Sequence, residues 1–169
     1  MTRCIFSGSF DPFTVGHLDI ATRGAAIFDT LDVVILHNPA KQGLFPLEER
    51  MDMIRRATAR LSNVEVHAWD GLMADYARES GANAILRGVR NAGDMDSETT
   101  MARLNRMLYP GAETLLLPCD PRYAAYSSSA AKEIASFGGA YEPLIPEVNL
   151  ETVRIRFDTI RRKTNGIQG

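Results

Sequence analysis

Tryptophan occurs once, cysteine twice and histidine three times in the 169 residues. Cys4 and Cys119 form no Cys-x-x-Cys pair, and His17, His37 and His67 are scattered. The sequence therefore offers no structural zinc site and reads as a chain with two free thiols in a reducing cytoplasm. Long apolar runs are absent too. Val33-Val34-Ile35-Leu36 is typical of what there is, far below the roughly 18 residues a bilayer requires. The amino terminus, Met1-Thr2-Arg3-Cys4-Ile5-Phe6, runs into a strand pattern and lacks a signal-peptide core. Nor is there an excess of one charge. A net charge of −2 argues against nucleic acid or a membrane surface as partner, and leaves room for a local cluster of cations around a small anion. What remains is 45% hydrophobic and 24% charged residues, enough for one globular domain spanning 1–169 with a real core.

Short β-branched runs alternate with longer amphipathic segments. The pattern predicts strands at 3–7, 32–37, 64–68, 84–87 and 113–117. It predicts helices at 16–28, 47–60, 72–80, 94–108 and 127–137, the last stopped by Gly138-Gly139. After Pro146, residues 147–163 read as a solvated amphipathic helix, with a frayed tail over 164–169. Such alternation means βαβ units. The fold class is α/β, a Rossmann-like, doubly wound, parallel five-stranded sheet in a single domain. Ligands of such sheets bind beyond the carboxyl ends of the strands, where strand order reverses. The loops beginning at Ser7, Asn38, Asp70, Arg87 and Pro118 are therefore the places to look.

The first of these, Ser7-Gly8-Ser9-Phe10-Asp11-Pro12-Phe13-Thr14-Val15-Gly16-His17, contains neither Gly-x-Gly-x-x-Gly nor a Walker-type phosphate loop. Gly8 would let a ligand approach the backbone, and Ser9 adds a hydroxyl. Gly16 and His17 fall at a helix start, where free amides and the dipole favour phosphate. A plain Asp-Pro turn with Thr14 as a helix cap is the simpler reading, and the added Thr-x-Gly-His weighs against it. Lys41, after the second strand, is a ligand candidate or a solvated charge. Arg87-Gly88-Val89-Arg90 ends an apolar strand, so its arginines suit a phosphate clamp better than a surface salt bridge. Ser127-Ser128-Ser129 open a helix; one serine suffices to cap it, and three favour an anion cradle. Leu72, Met73 and Tyr76 read as one apolar helix face.

Gly8-Ser9-Phe10-Asp11-Pro12 followed by Thr14-Val15-Gly16-His17 resembles the signature of the nucleotidylyltransferase superfamily, whose members carry (His/Thr)-x-Gly-His. Within it the chain is most similar, over residues 3–146, to members that adenylylate 4′-phosphopantetheine in coenzyme A synthesis. The resemblance implies ATP and 4′-phosphopantetheine as substrates, dephospho-coenzyme A and pyrophosphate as products, and Mg²⁺ carried on ATP with few protein ligands. It implies catalytic roles for His17, Lys41 and Ser9, the last two also touching the acceptor. Leu72, Met73, Arg87, Asn105 and Glu133 would contact the acceptor. Ser9, Phe10, His17, Gly88, Arg90, Glu98, Tyr126, Ser127, Ser128 and Ser129 would hold ATP. Coenzyme A as a feedback ligand and a homohexameric assembly are implied as well. Met95, Ser97 and Tyr126 depart from the residues usual there; Tyr123 would supply an aromatic wall for adenine.

A phosphate monoester is already an anionic nucleophile at neutral pH, so such a site needs donors and cations and no general base. Two other readings stay open on sequence alone. One is a nucleotidylyltransferase with a different acceptor; the other is a non-catalytic homologue that binds nucleotide or coenzyme A.

Overall fold

A computed structural model describes residues 1–37 and 43–165, with side chains described as far as Thr159. Five parallel strands lie in the order β3-β2-β1-β4-β5: β1 Arg3–Gly8, β2 Thr30–Leu36, β3 Val64–Trp69, β4 Ala84–Val89 and β5 Glu113–Pro118. Order reverses between β1 and β4, so the loops after these two strands flank the crevice. The α-helices are α1 Val15–Ala25, α2 Leu47–Ala57, α3 Met73–Ser80, α4 Ala92–Leu108, α5 Ser128–Ser136 and α6 Leu150–Asn165.

Side-chain parity along the strands sorts the core into two layers. Cys4, Phe6, Leu31, Val33, Ile35, Ala84 and Leu86 face one side and pack with Ile20 and Ala21 of α1 and Ile54 of α2. Ile5, Val34 and Ile85 face the other and pack with Met73, Tyr76 and Ala77 of α3. A third cluster, outside the sheet, joins α5 and α6 to Phe45 and Met53. In α6 the buried residues Val153 and Phe157 are one turn apart, so this basic helix is docked on one side and solvated on the other.

Helix boundaries move for local reasons. Asn91 Oδ1 accepts the Asp94 N–H, so α4 starts at Ala92 and not at 94. The segment expected as one helix over 147–163 divides into a 3-10 turn, Glu147–Asn149, and α6, which continues through Asn165. The predicted frayed tail thus begins inside a helix, and 166–169 lie outside the described residues. Among the described residues no helix is long and apolar enough to cross a membrane.

At the amino-terminal half of the sheet lies a buried ionic group. Asp32, fully buried, accepts from Arg3 Nε and Nη2, both at 2.8 Å, and from the Tyr76 hydroxyl at 3.2 Å. Arg3 Nη2 also donates to Glu65 at 2.6 Å. The fold therefore gathers His67 with Asp32 and Glu65, ligand atoms within 4.8 Å of one another, where the sequence reading has the histidines scattered. Both carboxylates already carry the Arg3 guanidinium, which makes this an ion-pair network and no vacant cation site. Breaking a buried pair strands the remaining charge. Arg3→Leu is expected to cost about 3 kcal/mol of unfolding free energy, read from urea denaturation, and to be clearly more destabilising than the exposed Arg122→Leu.

Candidate active site

The loop from β1 to α1 is held in an unusual shape by its own aromatic residues. Phe10 has φ of 47°, a left-handed conformation that a bulky residue adopts only when its surroundings compel it. Its buried ring packs against Phe6, Phe13 and His17 at centroid distances of 5.3, 5.5 and 5.1 Å. A Cβ on Gly8 would lie 3.0 Å from that ring. The glycine expected to admit a ligand is thus needed first to admit Phe10. Behind the loop, Asp11 accepts the Leu44 and Phe45 N–H groups, each at 2.8 Å, and pairs with Lys132 Nζ at 3.3 Å. Buried Arg50 donates from Nη1 to the Ser9 carbonyl at 2.9 Å.

Thr14 caps α1, as its sequence position suggests, and does more. Its hydroxyl accepts the His17 N–H at 3.3 Å and donates to the Tyr126 carbonyl at 3.2 Å, while its own N–H donates to His17 Nδ1 at 3.0 Å. This reciprocal cap fixes the imidazole. With Nδ1 accepting, the neutral ring carries its proton on Nε2, a donor. Enclosure by the surrounding protein pushes the His17 pKa down to about 4, and the charges of Arg90 and Arg87 add to the effect. At neutral pH His17 is a neutral hydrogen-bond donor.

The amino end of α5 meets that of α1. Ser127 Oγ accepts the Ala130 N–H at 3.0 Å, and Ser128 Oγ donates to the Pro12 carbonyl at 2.8 Å. Capping and loop tethering thus use two of the three hydroxyls, and the exposed Ser129 hydroxyl makes the third. A Cβ on Gly16 would lie 3.0 Å from the Tyr126 carbonyl, so this helix junction closes only over glycine. Two helix amino termini therefore face the same space, a strong setting for anions.

That space is a cavity of about 300 Å³ at the carboxyl ends of β1 and β4. Ser9, Phe10, His17, Gly88, Arg90, Tyr126 and Ser127 to Ser129 line it, together with Tyr123. A second cavity of about 90 Å³ adjoins it, lined by Leu36, Met73, Ile85, Met101, Asn105 and Thr114 among others. Ser7, Arg87 and Glu98 line both. Arg87 Nε and Nη2 donate to the two oxygens of Glu98, each at 2.7 Å, and Nη1 donates to the Ser7 carbonyl at 2.5 Å and hydroxyl at 3.0 Å. Arg90 Nε and Nη2 hold Asp94 in the same forked way, at 2.8 and 3.2 Å. That pairing lowers the Asp94 pKa and raises that of Arg90.

Most of the residues singled out from sequence therefore converge, and two lie outside both cavities. Leu72 is 56% exposed at the cap position of α3, away from the core face that Met73 and Tyr76 form, and lines neither cavity. Glu133 is exposed on α5 and lines neither cavity. Lys41 lies outside the described residues. Trp69 packs edge-on against Tyr76 at 5.4 Å on the edge strand. Asp94 and Ser7 were missed. Asp94 stands four residues before Glu98, on the same helix face, and Ser7 shares the strand parity of Arg87; both signals were present in the sequence.

The chain matches the cytidylyltransferase-like family model over residues 5–134. A phosphopantetheine adenylyltransferase from Caldanaerobacter subterraneus subsp. tengcongensis is 43% identical over 157 residues, 93% of this chain and 98% of its own length. One from Corynebacterium efficiens is 45% identical over 156 residues, 92% of this chain and 98% of its own. The solved structure of Plasmodium falciparum nicotinic acid mononucleotide adenylyltransferase complexed with NaAD superposes with a TM-score of 0.66, covering 93% of this chain and 97% of that chain. At 14% identity that likeness bears on the fold alone.

Because the His17 pKa is lowered from 6.5 to about 4, the unfolded chain binds more protons than the native one between those values. Stability contributed by His17 is fully present above pH 6.5 and is lost as pH falls toward 4. Nitrogen-15 chemical shifts are expected to show an Nε2-protonated neutral ring at pH 5.5, and His17→Asn to flatten the acid side of the stability profile.

Proposed function

We infer that this chain, which belongs to the cytidylyltransferase-like family and within it to the phosphopantetheine adenylyltransferases, transfers the adenylyl group of ATP to 4′-phosphopantetheine. The products are dephospho-coenzyme A and pyrophosphate. The observation that carries the mechanism is the convergence of His17, Arg87, Arg90 and two helix amino termini on a cavity that opens beside a second, more apolar one.

An oxygen of the acceptor phosphate attacks the α-phosphorus of ATP in line. The bond to the β-phosphate bridging oxygen breaks, and pyrophosphate leaves with the electron pair. The nucleophile arrives ionised, so no side chain has to take a proton. His17 Nε2–H, Ser9 and Lys41 stabilise the charge that builds on the α-phosphoryl oxygens; Lys41 enters on its sequence match. A neutral donor suits this task, because it need not give up a proton and does not compete with the arginines for counter-charge. Arg87 binds the acceptor phosphate, and Met73 and Asn105 accept the arm in the smaller cavity. Arg90, Glu98, Phe10, Gly88, Tyr126 and Ser127 to Ser129 hold ATP. Leu72 and Glu133 would reach the arm from outside the cavities.

Mg²⁺ is expected with ATP. Asp94 and Glu98, the carboxylates lining the larger cavity, are each taken by an arginine fork, so the described residues offer no ligand set of their own there. The metal would travel on the triphosphate. Coenzyme A, which carries the acceptor arm of the product, is the expected feedback ligand. Two free cysteines suit a cytoplasmic setting. We also propose homohexameric assembly. It is supported by α4, which buries no residue in the single chain and leaves Met95, Met101, Leu104, Met107 and Leu108 between 41% and 70% exposed.

A pyrophosphate-release assay with ATP and 4′-phosphopantetheine tests the activity; ATP binding without turnover of the acceptor would overturn it. His17→Ala is expected to lower kcat by roughly 10²–10³-fold, the effect of one preorganised donor, with little change in ATP affinity. Met101→Glu with Leu104→Glu is expected to yield a species smaller than the wild-type assembly in light scattering.

A further inference from the structure

The Arg87–Glu98 pair stands at the junction of the two cavities, where the proposed reaction needs an anion-binding group to be free. Arg87 is not free. A guanidinium presents five N–H donors along fixed edges. Its Nε–Nη2 edge, the one suited to a forked anion, is filled by both oxygens of Glu98 at 2.7 Å, and Nη1 is turned to Ser7. A phosphate cannot take that edge while the carboxylate holds it.

We propose that Glu98 is an internal stand-in for the acceptor's phosphate, occupying its seat on Arg87 until the acceptor displaces it. The inference rests on the proposed function and deepens it. Three observations support it. The carboxylate shares its geometry with a phosphate, two oxygens on one fork. The carboxylate has somewhere to go, since the Glu98 side chain is 17% exposed and already lines the larger cavity. And the arrangement is paired: Asp94, one turn earlier on the same face, fills the fork of Arg90 in the same manner. One helix face thus covers both arginines of the site.

The exchange discriminates among ligands. A monoester dianion brings more charge than the carboxylate it replaces, and its arm adds contacts in the second cavity. An anion that is both weakly charged and armless has neither advantage over a tethered carboxylate and is excluded.

Calorimetric titration of the full-length protein with 4′-phosphopantetheine and with unphosphorylated pantetheine, without ATP, tests this. Glu98→Gln keeps the side chain's size and removes its charge. It is expected to bind 4′-phosphopantetheine roughly tenfold tighter than wild type, as loss of a charge-assisted competitor requires, with pantetheine affinity unchanged. Glu98→Ala should act in the same direction, which separates lost competition from any new contact made by Gln. Unchanged or weaker binding of 4′-phosphopantetheine in both variants would overturn the inference while leaving the adenylyl transfer intact; it would mean that Glu98 orients Arg87. Equal tightening for pantetheine would overturn it too, because the gain would not involve the phosphate. Failure of wild type and variants alike to bind 4′-phosphopantetheine would overturn the proposed function, and this inference with it.

Discussion

The site depends on the reciprocal cap between Thr14 and His17. A helix start normally needs its cap only to satisfy an orphan amide. Here the same bonds set the tautomer of the imidazole and, through the Tyr126 carbonyl, lock the start of α1 against the start of α5. Secondary structure, proton placement and the meeting of two distant segments are one cooperative arrangement. The left-handed backbone at Phe10 belongs to it, because the ring it buries packs against the imidazole in a T-shaped arrangement.

Around this fixed donor the site is rich in charge that is already matched. Arg87 and Arg90 each hold a carboxylate of α4, and Lys132 holds Asp11. Matched charges keep an anion-binding crevice from repelling itself when empty. They also make entry of a ligand an exchange of partners, so binding strength reflects a difference between two ion pairs and not the full strength of either.

Much of this was legible in the sequence because it rests on local rules. The five strands, the cap at Thr14 and the clustering of polar residues in loops after strands follow from periodicity and turn chemistry. What escaped depends on which way side chains turn in three dimensions. Leu72 and Met73 are adjacent and equally apolar, yet only Met73 is inside, because Leu72 falls before the first turn of α3. Three serines in a row do not reveal that one caps and another ties down Pro12. Gly8 reads as an opening for ligand and Gly16 as part of a phosphate-facing helix start, whereas a phenyl ring crowds the one and a carbonyl the other. His67 could be assigned to a network only once parallel pairing set it beside Asp32 and Glu65.

The Arg3–Asp32–Glu65 network sits at the opposite end of the sheet from the larger cavity. Robustness and chemistry are therefore anchored at different poles of one β-scaffold. A lineage adapting to heat could rework the ionic pole without disturbing turnover, and one acquiring a new acceptor could rewrite the opposite rim on an unchanged foundation.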